Sequence, residues 1–271
     1  MMTLRQDSAD SPAHGQTSAW RKGAIAGIVA GIIAVLVGFT YYMWGNTDKG
    51  AGAIPTQGLV GSWSFNGSSV AGTQVKDISG AGNNGVLVNG PELVSGIIGQ
   101  ALQLDGVDDY LDAGSGQTLN NLPALTVSAW IYPRIVNGGE HILGKGGTSK
   151  VGWLLIFDTN ARLRFLAYFT EGVLEQTSEH NVIQTNSWQH LLVTWDGSAT
   201  GANVKMYVNG SEIAYGATFD AHGNRQSDAG HRLYMGDSGA LFPYNGVIDG
   251  IRVYNRVLAA DEAKKLSSRP H

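Results

Sequence analysis

The stretch Leu125-Thr126-Val127-Ser128-Ala129-Trp130-Ile131-Tyr132 decides how this chain folds. Leu125, Val127, Ala129 and Ile131 alternate with Thr126, Ser128, Trp130 and Tyr132. Successive side chains of a strand point to opposite faces, so a two-residue period describes a strand lying on a core. Upstream, Leu59-Val60-Gly61-Ser62-Trp63-Ser64-Phe65 sets Leu59, Trp63 and Phe65 on one face and serines on the other. Similar segments predict strands at 85–89, 100–105, 140–145, 151–158, 162–169, 188–196, 203–209, 231–236 and 246–254. Asn209-Gly210 between two of these runs is the two-residue turn that suits strand twist, hence a hairpin. Only Leu258 to Leu266 reads as helical. Many strands, turn signals between them and no βαβ alternation predict an all-β antiparallel two-sheet sandwich.

Composition agrees and narrows the function. The chain has 271 residues, of which 38 are glycine and none is cysteine. Glycine at this level, set among aromatic and β-branched residues with no collagen period, means many tight turns. The missing cysteines exclude a disulfide scaffold, a zinc finger, a cysteine nucleophile and an iron–sulfur cluster. Eighteen basic against 22 acidic residues give a net charge of −4, which argues against nucleic acid as a partner.

The N-terminal part is of another kind. Residues 1–22 form a polar tail, and from Gly23 to Thr47 there is no charged residue. A helix over 23–46 is long enough to cross a bilayer at about 1.5 Å per residue. Arg21 and Lys22 precede it, and Phe39, Tyr41, Tyr42 and Trp44 crowd its far end like an interfacial belt. The charge bias predicts a single-pass membrane protein with a cytoplasmic N-terminus and a periplasmic or extracellular C-terminal domain. The alternative is a signal peptide cleaved near Ala53, but the apolar run is longer than an h-region. Gly23, Gly27 and Gly31 recur every four residues and Ala34 lies beside them. Such a small-residue face lets helices approach closely, so the expected partners are the lipid bilayer and other transmembrane subunits or a second copy. A linker at 47–57, rich in Gly and Ala and holding Pro55, leads to the domain at 58–271.

Several segments of that domain resemble the laminin-G-like, concanavalin A-like jelly-roll family. They are Gly58 to Phe65, Asp77-Ile78-Ser79-Gly80-Ala81-Gly82-Asn83-Asn84-Gly85, Leu104 to Leu111, Thr126 to Ile131, Trp188-Gln189-His190, Tyr207-Val208-Asn209-Gly210, and Asn245 to Leu258. The ordered set spans roughly residues 58–268. The resemblance implies two curved antiparallel sheets packed face to face, a fold shared by lectins, pentraxins, laminin modules and glucanases. It also implies a structural calcium in some members, with the aspartate of the Ile-Asp-x-Ile-Arg-x-Tyr segment taking part. That position is Asp249, followed by Gly250 where relatives carry Glu.

Candidate chemistry is sparse. Glucanases of this fold carry closely spaced acidic residues alternating on one strand, and a retaining pair needs carboxyls about 5–5.5 Å apart. No such strand motif occurs. Glu171, Glu175 and Glu179 read as scattered over a hairpin, and Asp105, Asp108, Asp109 and Asp112 as turn and edge carboxylates. His190 reads as structural, and no serine elbow, HExxH or Walker loop is present. The chain is therefore expected to be non-enzymatic. Asp77, Asn83, Asn84 and Asp249 supply the oxygens calcium prefers, or else cap turns. Carbohydrate binding needs aromatics outside the core. Trp63, Trp130, Trp188 and Trp195 read as core, whereas Trp153, Phe169, Phe242 and Tyr244 are the candidate ligand or partner surface. Asn66-Gly67-Ser68 and Asn209-Gly210-Ser211 are sequons that read as ordinary turns. The leading expectation is a structural or interaction module, an accessory subunit of a membrane complex. The alternative is a membrane-tethered carbohydrate-binding protein with glycans as partners.

Overall fold

The structure is a computed structural model that describes residues 53–146, 149–236 and 242–268. In chain order its strands are β1 (Leu59–Trp63), β2 (Val70–Ala71), β3 (Gln74–Val75), β4 (Gly85–Val88), β5 (Glu92–Ser95) and β6 (Gln100–Asp105). There follow β7 (Tyr110–Asp112), β8 (Leu125–Pro133), β9 (His141–Lys145), β10 (Trp153–Phe157), β11 (Leu163–Ser178) and β12 (Gln189–Trp195). The last are β13 (Lys205–Val208), β14 (Ser211–Glu212), β15 (Tyr215–Phe219), β16 (His222–Arg225), β17 (Leu233–Met235) and β18 (Asn245–Tyr254), then α1 (Ala260–Ser267).

The strands make two antiparallel sheets. One runs β14-β13-β12-β8-β18-β6-β5 with β1 added on β18; the other runs β15-β11-β10-β9-β17-β7-β4-β3-β2 with β16 on β11. Leu125, Val127, Ala129 and Ile131 of β8 point inward with Leu191, Val193 and Trp195 of β12, to meet Trp153, Leu155, Phe157, Phe165 and Met235 of the second sheet. This is the expected sandwich, and Asn209 and Gly210 close the β13–β14 hairpin with φ of 51° and 79°.

β18 organises the first sheet. Its N-terminal half pairs with β6 and its C-terminal half with β1, on the same side, while both halves pair with β8. The changeover falls at Asp249–Gly250, where the register slips and Gly250 takes φ 56°. The Asp249 carboxylate, buried there, accepts hydrogen bonds from Ile97 N (3.1 Å) and Ile98 N (3.2 Å) and so holds the β5–β6 turn. α1 lies on the outside of this sheet, burying Leu258, Ala263 and Leu266 against Leu192, Tyr207 and Tyr254. The domain's two ends are tied together: Asn255 N donates to Gly58 O (2.8 Å), Tyr254 Oη to Pro55 O (3.0 Å) and Arg256 Nε to Gln57 O (2.9 Å).

Three differences from expectation are instructive. β11 continues past 169 and doubles back near Gly172 (φ 118°), since Leu163 N donates to Ser178 Oγ at 2.9 Å and Arg164 meets Glu175 at 2.8 Å. The short strands β2, β3, β5, β7, β15 and β16 were not expected. Trp188 is half-buried on the outer face, tilted against Tyr132 at 5.7 Å, not in the core. The helix foreseen at 23–46, with Gly23, Gly27, Gly31 and Ala34, lies outside the described residues. No helix among the described residues is long and apolar enough to cross a membrane.

Candidate functional site

Of the four aromatics foreseen as a ligand surface, three belong to the core. Trp153 stacks on Phe165 (centroids 6.3 Å, 21°), Phe169 meets Trp195 edge-on (6.3 Å, 76°) and Tyr244 packs on Phe157 (6.0 Å). The cause is register: Trp153 shares the inward face with Leu155 and Phe157, and Phe169 with Phe165 and Ala167. Tyr244 sits at full burial where Gly246 leaves room, since a Cβ there would lie 2.7 Å from the tyrosine Oη. Burial pushes the Tyr244 phenol well above its usual range. Only Phe242 is exposed, at 45%, and it leans on His141 (5.4 Å).

The calcium set becomes a hydrogen-bonded turn. Asp77 Oδ1 accepts from Ser62 N (2.9 Å) and Ser79 N (2.8 Å), and Oδ2 from Ser79 Oγ (2.9 Å) and Asn83 N (2.9 Å). A carboxylate has about four lone-pair sites, so protein donors fill all of them. Asn84 Oδ1 accepts from Asp77 N (2.9 Å), and the Asn83 amide donates to Val60 O (2.7 Å) and Thr118 Oγ1 (2.8 Å). Asp249 serves the separate β5–β6 turn, and burial raises its carboxyl to about 6. These four residues therefore do not fit a calcium cage.

Among the described residues, Asp105, Asp108 and Asp109 bring carboxylate oxygens within 4.8 Å of one another. Asp109 is raised by burial and then by Asp105. Yet Asp105 Oδ1 accepts Val107 N (2.8 Å) and Asp109 Oδ2 accepts Asp105 N (3.2 Å), so the group shapes its own turn, as foreseen. Glu171 lies at the exposed bend of β11, whereas Glu175 is held by Arg164.

A different constellation emerges on the outer face of the larger sheet. Direct cross-strand partners form one row: Leu166 on β11, Leu154 on β10, Gly144 on β9, Tyr234 on β17, Asp112 on β7 and Val86 on β4. Five strand steps of about 4.8 Å make this row roughly 24 Å long. Two residues along from Leu166 stand Tyr168 on one side and Arg164 on the other, and Tyr110 and Arg232 flank Asp112 and Tyr234 in the same way. Alternation puts all of them on the outer face, because Phe165, Ala167, Leu111, Leu233 and Met235 point inward. Gly144 is required here: a Cβ would come within 2.5 Å of Leu154 Cδ2, so the leucine lies flat over the glycine.

Three tyrosines thus rise from an apolar floor. Tyr110 and Tyr234 meet edge to face at 5.7 Å. Burial raises the Tyr168 and Tyr234 phenols, which stay neutral and serve as both donors and acceptors. Two ion pairs complete the face. Arg232 Nε donates to Asp112 Oδ2 (2.6 Å), and Arg164 Nε to Glu175 Oε1 (2.9 Å). Burial opposes ionisation of Glu175, but the Arg164 and Thr177 hydrogen bonds win and hold its carboxyl below the usual range. Their Glu175 and Asp112 bonds raise the two guanidiniums in turn.

The molecule is thus a jelly-roll sandwich presenting an aromatic, ion-paired sheet face. The chain belongs to the concanavalin A-like lectin/glucanases superfamily, whose model matches residues 105–264. No curated protein sequence matches it significantly. Among solved structures it is similar to the binding domain of Paraclostridial Mosquitocidal Protein 1, with TM-score 0.62 and 18% identity, covering 78% of this chain and 52% of that one. It is similar to domain 4 of AbnA, an extracellular arabinanase from Geobacillus stearothermophilus in complex with arabinotriose, with TM-score 0.55 and 19% identity, covering 78% and 98%. A third likeness is to Trypanosoma rangeli sialidase, with TM-score 0.61 and 22% identity, covering 86% of this chain and 38% of the other. The chain thus spans about half of the toxin binding domain and a smaller part of the sialidase. At these identities the likenesses establish the fold.

Proposed function

We propose that this is a non-enzymatic, glycan-binding domain displayed outside the cell or in the periplasm on a single N-terminal membrane helix over residues 23–46. The observation that carries the reading is the row from Leu166 to Asp112, in which Tyr168, Tyr234 and Tyr110 flank an apolar floor beside two arginine–carboxylate pairs. Sugars are bound by this combination: ring faces stack on aromatics while polar groups fix the hydroxyls. The arabinotriose complex of the AbnA domain, a similar sandwich that this chain covers almost end to end, supports the choice of ligand class. The accessory-subunit reading draws on the small-residue face of Gly23, Gly27, Gly31 and Ala34 and predicts stoichiometric membrane partners instead. A glycan array probed with the full chain, beside its affinity capture from membranes in a sugar-free detergent, separates the two. Glycan hits lost in Tyr234→Ala support binding through this face. Membrane subunits at fixed stoichiometry with no glycan hit overturn it.

A further inference from the structure

Resting on that reading, we propose that the ligand is a neutral polysaccharide, laid as an extended chain along the row from Leu166 to Asp112. The charge bookkeeping of the face leads here. Each arginine that flanks the row is matched by a carboxylate on the same face, Arg232 by Asp112 and Arg164 by Glu175. The carboxylates are the better buried partners: the side chains of Asp112 and Glu175 are 13% and 19% exposed. An acidic sugar that reaches either guanidinium brings its own carboxylate beside the Asp112 or Glu175 carboxylate already held there, and this like-charge contact is unfavourable. A neutral sugar meets no such conflict. Its hydroxyls donate to the carboxylate and accept from the guanidinium of one intact pair, and the neutral tyrosine hydroxyls accept either role.

Length gives the second argument. Arg164 on β11 and Asp112 on β7 stand four strand steps apart, about 19 Å, with Leu154, Gly144 and Tyr234 between them. One sugar residue reaches only one of the two pairs, so both are used together only by a chain of several residues. Sharing the affinity over the row makes binding depend on chain length.

The test uses the full chain in a detergent without a sugar headgroup. Affinity electrophoresis and calorimetry are run with neutral polymers (arabinan, xylan, galactan, mixed-linkage glucan) and acidic ones (polygalacturonate, alginate, heparin, a sialylated glycan). The expected result is binding to at least one neutral polymer, insensitive to about 0.5 M salt because no net charge is exchanged. Affinity should rise at least about tenfold from trisaccharide to hexasaccharide, and fall about tenfold or more in Tyr234→Ala, Tyr168→Ala and Asp112→Asn. Circular dichroism melts check that each variant is folded, and Val257→Ser, an exposed residue just before α1 on the other sheet, serves as a folded control that keeps full affinity. Tighter, salt-sensitive binding to acidic polymers overturns the neutral assignment while leaving the glycan reading standing. Binding of a neutral polymer that folded Tyr234→Ala and Tyr168→Ala leave unchanged removes the row as its site. Binding of no polymer of either kind sinks the glycan reading itself.

Discussion

Replacing His190 with phenylalanine should stabilise the domain, and the gain should grow as the pH falls. His190 lies on the outer side of β12, fully buried, with its ring 5.1 Å from Trp130. Neither ring nitrogen meets a hydrogen-bond partner among the described residues. A neutral imidazole carries one donor and one acceptor, and leaving each buried and unmade costs about 1–3 kcal/mol. Phenylalanine keeps the ring against Trp130 and removes both, so at pH 7 the variant should be more stable by about 2–4 kcal/mol. Burial, with a smaller push from Arg252, also lowers His190 from 6.5 to about 3. Its protonation therefore favours the unfolded chain, and stability drains away below pH 6.5 at about 1.4 kcal/mol per unit until pH 3. At pH 5 that adds about 2 kcal/mol to the difference between the two proteins.

Asp249 acts in the opposite sense. With its folded value raised to about 6 from 3.8, the folded state takes up its proton first, so stability is regained as the pH falls from 6 to 3.8. In the wild type the two effects largely cancel over that window, whereas the variant shows the Asp249 gain alone. Guanidinium unfolding of both proteins at pH 7, 6 and 5 gives the comparison. A difference that is constant with pH, or a wild type more stable than the variant at pH 7, refutes the reasoning.

Other substitutions test the structural residues. Asp77→Ala leaves the buried N–H groups of Ser62 and Asn83 unpaired and should cost about 3–5 kcal/mol, with no recovery of melting temperature on adding calcium. Gly61→Ala drives a methyl to within 2.4 Å of the Trp63 ring, which is fully buried and pinned by its Nε1 bond to Asn83 O (3.0 Å); thermal unfolding should show a loss of about 1–3 kcal/mol. Glu262→Gln breaks the two-point contact with Arg256 (2.6 and 2.8 Å) that starts α1. The Arg256 bond holds Glu262 down to about 2, so about 1 kcal/mol should be lost above pH 4.5, and the difference between the proteins should shrink as the pH falls toward 2.

What the sequence discloses here follows from how strongly each face is marked. β6 at 100–105 and β18 at 245–254 stand where the alternation puts them, and the Asn209-Gly210 turn is local chemistry that tertiary context does not alter. β2, β3 and β14 have two residues each, too few to show a period, and β16 (His-Gly-Asn-Arg) has no apolar residue at all. The tyrosine-bearing face is hidden in the sequence for a different reason. Trp153-Leu154-Leu155-Ile156-Phe157 is apolar on both faces, so nothing in the segment says which side looks inward, and the expectation of Trp153 on a ligand surface fails for that reason. The usable signal was Tyr168, Tyr234 and Tyr110 alternating with inward Ala167, Leu233, Met235 and Leu111, around the side-chain-free Gly144. Asp77 shows a further limit: oxygen-rich turns look alike in sequence whether a cation or backbone N–H groups fill them.

The tying of the domain's ends has a mechanical meaning. Pro55, Gln57 and Gly58 are bonded to Tyr254, Asn255 and Arg256, and β1 lies along β18, itself flanked by β8 and β6. A pull on the chain near Pro55 is thus borne by the bonds to Tyr254, Asn255 and Arg256 together with the β1–β18 ladder, and is passed through β18 to its ladders with β8 and β6. Force entering near Pro55 must therefore break several bonds together before the first sheet unravels.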